Sequence, residues 1–306
     1  MKRLVDRLND AETNFFIHVD KKSNQKEFEN AFISPHYKNS NIVFVPENKR
    51  IDCFWGDRSI LIAALNTMKL YLKDNNGGPF VLLSGQDYPL RSNKYIHHFF
   101  ENHPKDNFIR VINLPDLTNI REHYGWDRLT NYTFDCRNPK NPRMKAKIEP
   151  FSFRVKTLVG FVRLAIYRPQ LLPFALKCYM RKRHYPKGLI KTLNEFWISL
   201  NQSTAQFLIK TFNEHDNYMK YYQYVHVPDK TAFCAILCGN DEIKSTIRPM
   251  VHYIDWTHGK NGSPKTLDES DLPFIQSALA EKEYILFGRK FEADSSVLDK
   301  LDIMIQ

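Results

Sequence analysis

Two aspartates stand where apolar runs stop. FFIHV at 15–19 gives way to Asp20-Lys21-Lys22-Ser23, and FVLL at 80–83 gives way to Ser84-Gly85-Gln86-Asp87-Tyr88-Pro89-Leu90. A carboxylate at the carboxyl end of a strand either caps the turn or helix that follows or accepts hydrogen bonds from a ligand in the crevice where open α/β sheets bind. Two acids on one sheet edge favour the cleft. Trp197 and Trp256 each lie beside polar residues, and their rings either fill a core or stack on the apolar C–H face of a sugar. Together with Tyr124 and Trp126 they suit a carbohydrate ligand.

The elements needed to position these residues follow from periodicity. Short apolar runs at 15–19, 41–45, 80–84 and 107–111 alternate with amphipathic stretches such as 59–72, the pattern of a mostly parallel central sheet with helices on both faces. After Pro115 the pattern is irregular up to about residue 192. It then recovers with a strand at 196–200, a helix at 203–212, the turn Val227-Pro228-Asp229, a helix at 231–237 and a loop carrying His252 to Trp256. This divides the chain into a first half (1–115), an insertion or lid (116–192) and a second half (193–306).

Composition narrows the classes. The 306 residues are enough for a large core. The five cysteines are odd in number and lack paired Cys-x2-Cys spacing, so neither a disulfide framework nor a zinc site is expected, and a reducing cytosol suits them. The charged start MKRLVDRLND is neither a signal peptide nor a membrane span, and the apolar stretch 157–176 is broken by Arg163, Arg168, Pro169 and Pro173. The net charge of +10 concentrates between residues 140 and 191. Within that tract, an apolar segment from Phe161 to Phe174 precedes Arg181-Lys182-Arg183, which favours an anionic membrane surface as the partner, with a purely solvated face an equal alternative. Nucleic acid is not expected, because no recognisable binding module accompanies the charge.

One ordered set of motifs runs through nearly the whole chain: IHVDKKS at 17–23, FWG at 54–56, LLSGQDYPLRSN at 82–93, FWISLN at 196–201, VPDK at 227–230, IDW at 254–256, SP at 263–264 and LFGRKF at 286–291. The set resembles the core-2/I-branching β-1,6-N-acetylglucosaminyltransferases and the related peptide O-xylosyltransferases, in a bacterial-looking form. The resemblance implies a GT-A-type α/β fold and inverting transfer of a sugar, N-acetylglucosamine first among candidates, from a UDP-sugar to a glycan acceptor. It implies no cofactor and no metal. Asp20 would lie by the uridine, while Trp55, Gly56, Gly85, Asp87 and Tyr88 would line the donor cleft. Trp197 and Trp256 would serve the acceptor.

Such a reaction expels a diphosphate, and fixed cations can meet its charge in place of a metal. Arg289 and Lys290 match the basic pair of the family, a two-pronged guanidinium beside a point charge. The acceptor hydroxyl also needs a base, yet the position where the family carries its catalytic Glu is Lys230. Asp229, Glu195 or Asp255 could replace it, or transfer could be lost, leaving a UDP-sugar or glycan-binding relative. The resemblance also implies an opening strand and an Ala-His loop upstream of Arg3, so this chain is expected to begin at the helix after them. A cytoplasmic location, peripheral on the inner membrane face, completes the expectation.

Overall fold

The computed structural model describes residues 1–37, 41–74, 77–116, 125–259 and 263–305. Tyr124 lies outside them. The helices are α1 (Lys2–Leu8), α2 (Gln25–Asn30), α3 (Ser59–Asp74), α4 (Asn93–Asn102), α5 (Trp126–Thr130), α6 (Val155–Tyr167), α7 (Leu172–Tyr179), α8 (Gln202–Glu214), α9 (Asp216–Tyr222), α10 (Ala232–Leu237), α11 (Asp241–Ser245), α12 (Leu272–Glu281) and α13 (Val297–Met304). The strands are β1 (Asn14–Ile17), β2 (Asn41–Phe44), β3 (Phe80–Val81), β4 (Asp87–Pro89), β5 (Asn107–Phe108), β6 (Val111–Asn113), β7 (Tyr132–Asp135), β8 (Lys145–Ile148), β9 (Thr192–Asn194), β10 (Ser199–Leu200), β11 (Ile247–Arg248), β12 (His252–Ile254) and β13 (Phe287–Arg289).

Alternation along the strands builds two layers. Phe80 and Leu82 enter the core made with α3 and α8, through Leu61, Met68, Leu208 and Phe212. Val81 and Leu83 pack on the opposite core, with Leu4 and Leu8 of α1 and Ile96 and Phe99 of α4. Successive side chains of a strand face opposite sides, so helices cover both faces, as the sequence pattern requires.

The expectation of a mostly parallel sheet needs correction: the chain is mixed α/β. Parallel ladders join β1 to β2, β5 to β11 and β12 to β13. Antiparallel ladders join β10 to both β3 and β5, β13 to β4, β6 to β9 and β7 to β8. For β9 and β10 the physical cause is the excursion between β6 and β9. The chain leaves at Asn113 and returns in register with it, Asn113 opposite Thr192 and Val111 opposite Asn194. A segment that comes back alongside its own exit must run the other way, and β10 continues in that reversed sense between β3 and β5.

Among the described residues β1 pairs only with β2, and β3 only with β10. A cavity of about 420 Å³ lies between their facing edges, lined by Leu4, Phe15, Ala64, Tyr71, Phe80 and Leu83. The excursion carries its own small core, in which Phe134, Ala146 and Ile148 of β7 and β8 meet Leu164 of α6 and Ala175 and Cys178 of α7.

Candidate functional site

The turn Val227-Pro228-Asp229-Lys230 is held from two sides. Val227 adopts φ 54°, ψ 60°, a left-handed conformation that costs a β-branched residue energy and clusters at functional sites. Its N–H donates to the Gly56 carbonyl at 3.2 Å. Gly56 itself has φ +77°, and a Cβ there would meet the His226 ring at 3.3 Å, so both conformation and space call for glycine. From the other side the fully buried Asn194 donates its amide to the Asp229 carbonyl at 3.0 Å and to the Glu195 carbonyl at 2.8 Å. Asn194 thereby locks the end of β9 to the turn, a role invisible in a lone asparagine.

The Asp229 carboxylate is buried, and its Oδ1 has no hydrogen-bond partner among the described residues. Burial disfavours its charged form and pushes its pKa up to about 6. Lys230 turns its ammonium to Glu195, 3.0 Å from Oε2, and lies 4.3 Å above the Trp256 ring. The Lys230–Glu195 contact is an ion pair without hydrogen-bond alignment, since Oε2 receives no hydrogen bond. Asp255 is engaged elsewhere, by the ring of His258 at 2.8 Å.

Two residues beyond Glu195, Trp197 begins a second group. The Arg289 guanidinium stacks 3.9 Å over its ring. Nη1 of Arg289 donates to Asp87 Oδ1 at 2.8 Å and to Ser84 Oγ at 2.6 Å, leaving the other guanidinium nitrogens outside these bonds. The Asp87 side chain is 0 % exposed, so it fixes Arg289 rather than meeting a ligand itself. Lys290 follows Arg289 and forms no ion pair among the described residues. His252 fills the floor between Trp197 and Phe287, with ring centroids 5.9 and 5.5 Å away. Neither of its nitrogens has a partner among the described residues, and burial lowers its pKa to about 4.

The third group surrounds Trp55 and Gly56. Asp20 accepts from Lys22 N at 2.9 Å, Lys22 Nζ at 2.8 Å and Cys53 N at 3.2 Å. Burial works to raise its pKa, but these bonds outweigh it and hold the carboxyl below its ordinary value. Asp20 thus ties the end of β1 to the loop carrying Trp55, whose ring is half exposed and meets His226 edge-on. Three cations reach this loop from the excursion. Arg137 lies 3.5 Å over the Phe54 ring and 3.1 Å from Asp57, Arg143 lies 5.8 Å over Trp55, and Lys145 is buried 3.9 Å from Asp57. Burial lowers the Lys145 pKa against the pull of Asp135 and Asp57.

The structure therefore gathers Trp55, Gly56, Asp229, Lys230 and Trp256 in one run of contacts, and Asp87, Trp197, Arg289 and Lys290 in a neighbouring one. The segment 195–197 bridges them. Tyr88 is not among them: its hydroxyl donates to Asp302 at 2.7 Å and accepts from Arg3, on the side of α1 and α13. Gly85 borders Met1 instead, between the 420 Å³ cavity and a second of about 400 Å³. The cations at 137, 143 and 145 escaped the sequence reading because single charges in a basic tract look solvated. The signal was alternation in Met144-Lys145-Ala146-Lys147-Ile148, which sends Lys145 away from the face carrying Ala146 and Ile148.

Comparison with known proteins agrees with the family resemblance. Rat xylosyltransferase 2 is 31% identical over 323 residues, covering 99% of this chain and 32% of its own length. The Arabidopsis thaliana β-glucuronosyltransferase GlcAT14A is 21% identical over 312 residues, covering 99% of this chain and 60% of its own. Human xylosyltransferase 1 is 32% identical over 117 residues, 38% of this chain and 12% of its own. The chain thus spans about a third of the length of the xylosyltransferase 2 sequences it matches. The model of the Core-2/I-Branching enzymes matches residues 1–156, just over half of the sequence, and this chain belongs to that family.

Proposed function

We propose that this protein is an inverting, metal-independent glycosyltransferase that moves a sugar from a UDP-sugar to a carbohydrate hydroxyl. The acceptor oxygen attacks the anomeric carbon from the face opposite the diphosphate. The hydroxyl proton passes to a carboxylate, and the bond to the β-phosphate oxygen breaks with its electrons leaving on UDP. The observation that carries this reading is Asp229, a buried carboxylate with an unpartnered oxygen and a pKa raised to about 6, on a strained turn bonded to the Gly56 loop. A base titrating near the working pH combines the correct charge with real proton affinity.

The departing diphosphate is met by Lys290 and by the donors of Arg289 not used by Asp87 and Ser84. Trp55, the most exposed aromatic of the site, stacks on the donor, and Trp256 borders the acceptor. Glu195 supports a second reading of the base, because it brings a carboxylate to within 3.0 Å of Lys230. The resemblance favours N-acetylglucosamine as the sugar, whereas the names of the relatives point to xylose and glucuronic acid.

The test is UDP release from UDP-xylose, UDP-glucuronic acid and UDP-N-acetylglucosamine with oligosaccharide acceptors, with and without EDTA. Turnover of one donor, unchanged by EDTA, is expected. Tight UDP-sugar binding with no turnover on any acceptor would make the protein a catalytically impaired binding relative, and loss of turnover in EDTA would remove the metal-free mechanism.

A further inference from the structure

Helix α6 has two apolar faces. Thr157, Gly160 and Leu164 turn inward against β8, and Gly160 permits the contact, because a Cβ there would sit 2.5 Å from the Lys147 carbonyl oxygen. On the opposite face Val155, Leu158, Val159, Val162 and Ile166 follow the i, i+3, i+4, i+7, i+11 spacing of a single helical stripe. They are 39–73% exposed. Phe153, 88% exposed, extends the stripe before the helix, and Phe174 and Leu176 of the adjoining α7 widen it. An exposed apolar surface of this extent marks an interaction site.

Charge decides the partner. Residues 137–194 hold 15 Lys and Arg against one acid, Glu149, while the whole chain carries only +10. The rest of the protein is therefore net acidic. Lys156, Arg163, Lys177, Arg181 and Lys182 are exposed around the stripe. A second copy of this chain would set two such basic regions face to face. Nucleic acid would meet a stripe with nothing to bind phosphate. An apolar stripe rimmed by basic side chains fits the interface of an anionic bilayer, where the stripe enters the acyl boundary and the lysine and arginine heads stay among the headgroups.

We infer that α6 and α7 form a membrane-binding surface that lies in the plane of an anionic lipid leaflet. No helix among the described residues is long and apolar enough to cross a membrane, and this contact needs none. It is independent of the site chemistry, since neither helix supplies a residue to the turn at 227–230 or to Arg289.

Flotation of the full chain with phosphatidylcholine vesicles, with and without phosphatidylglycerol, tests it. Binding to anionic vesicles is expected to exceed binding to neutral ones by roughly tenfold or more and to weaken in high salt. Leu158→Glu combined with Val162→Glu should abolish flotation without moving the melting temperature, since both side chains face solvent. Lys156→Gln with Lys177→Gln should reduce the preference for phosphatidylglycerol. Absence of flotation with either vesicle overturns the inference, as does equal binding to both. A concentration-dependent dimer that Leu158→Glu/Val162→Glu dissociates would assign the stripe to a second copy and overturn it too.

Discussion

The Lys230 ammonium lies 3.0 Å from Oε2 of Glu195 and 4.3 Å above the ring of Trp256. This pair occupies the position where the family resemblance implies a catalytic carboxylate. The charge on the turn is inverted, and a carboxylate of opposite sign stands across from it on the segment after β9. An acid therefore stands beside the Pro228 turn on a different segment of the chain, with Asp229 buried next to the pair.

Reversing the pair separates these roles. Lys230→Glu alone opposes two carboxylates, one of them buried, and should lower stability by roughly 3 kcal/mol. Adding Glu195→Lys should recover most of that loss, because residues in contact couple. Urea denaturation of the four variants measures the coupling. UDP release by the reversed pair then tells whether a carboxylate on position 230 raises turnover, the outcome that would shift the base from Asp229 to that position.

Arg289 and Lys290 are adjacent in sequence but differ in what their loss costs. Arg289→Ala strands the Asp87 carboxylate, which is 0% exposed, and should destabilise the fold by about 3–5 kcal/mol. Asp87→Asn in the same chain should relieve part of this without restoring UDP affinity. Lys290→Ala disturbs no ion pair, so it should leave the melting temperature within a degree or two while weakening UDP binding roughly tenfold, as loss of one charge-assisted contact does. Calorimetry of UDP binding beside thermal melts checks both halves, and unchanged UDP affinity in Lys290→Ala would remove Lys290 from the diphosphate site.

Asp229 links activity to pH with a defined sign. Its pKa is raised to about 6 from 3.8, so the folded chain holds a proton that the unfolded chain releases, and stability declines as pH rises from about 4 to 6. Asp229→Asn should therefore be more stable than the parent above pH 6, by on the order of 2–3 kcal/mol, and should show no advantage at pH 4. If Asp229 is the base, the variant loses turnover and the parent rate falls below pH 6. A fully active Asp229→Asn would leave Glu195 as the base.

What the sequence disclosed and what it withheld divide along a physical line. Apolar runs marked the strands at 14–17 and 41–44 and the helices at 59–74 and 202–214 closely, because burial periodicity is local. Strand sense was not local. It depends on the excursion that returns Thr192 opposite Asn113, and nothing in Ser199-Leu200 states the direction from which it is entered. The site followed the same rule. Asp87 and Arg289 each stood out by neighbourhood, but their 2.8 Å bond joins residues 202 apart in sequence. Tyr88, one residue on, points to the opposite side of the sheet, which is what alternation along a strand demands.

His252 titrates in the opposite direction to Asp229. Burial lowers its pKa to about 4 from 6.5, so the unfolded chain takes up a proton that the folded chain refuses, and stability falls as pH drops from about 6.5 to 4. Between those values the two residues work against each other, which flattens the pH dependence of the parent. His252→Leu removes one side of the balance and the two unpartnered ring nitrogens at once. It should add about 1 kcal/mol at pH 8, from desolvation alone, and roughly 4 kcal/mol near pH 4, where about 3 kcal/mol of proton linkage joins it. Melting curves at the two pH values separate the contributions. An equal effect at both would mean that His252 does not resist protonation in the fold, and the floor beneath Trp197 would then be wetter than the packing of its two aromatic neighbours implies.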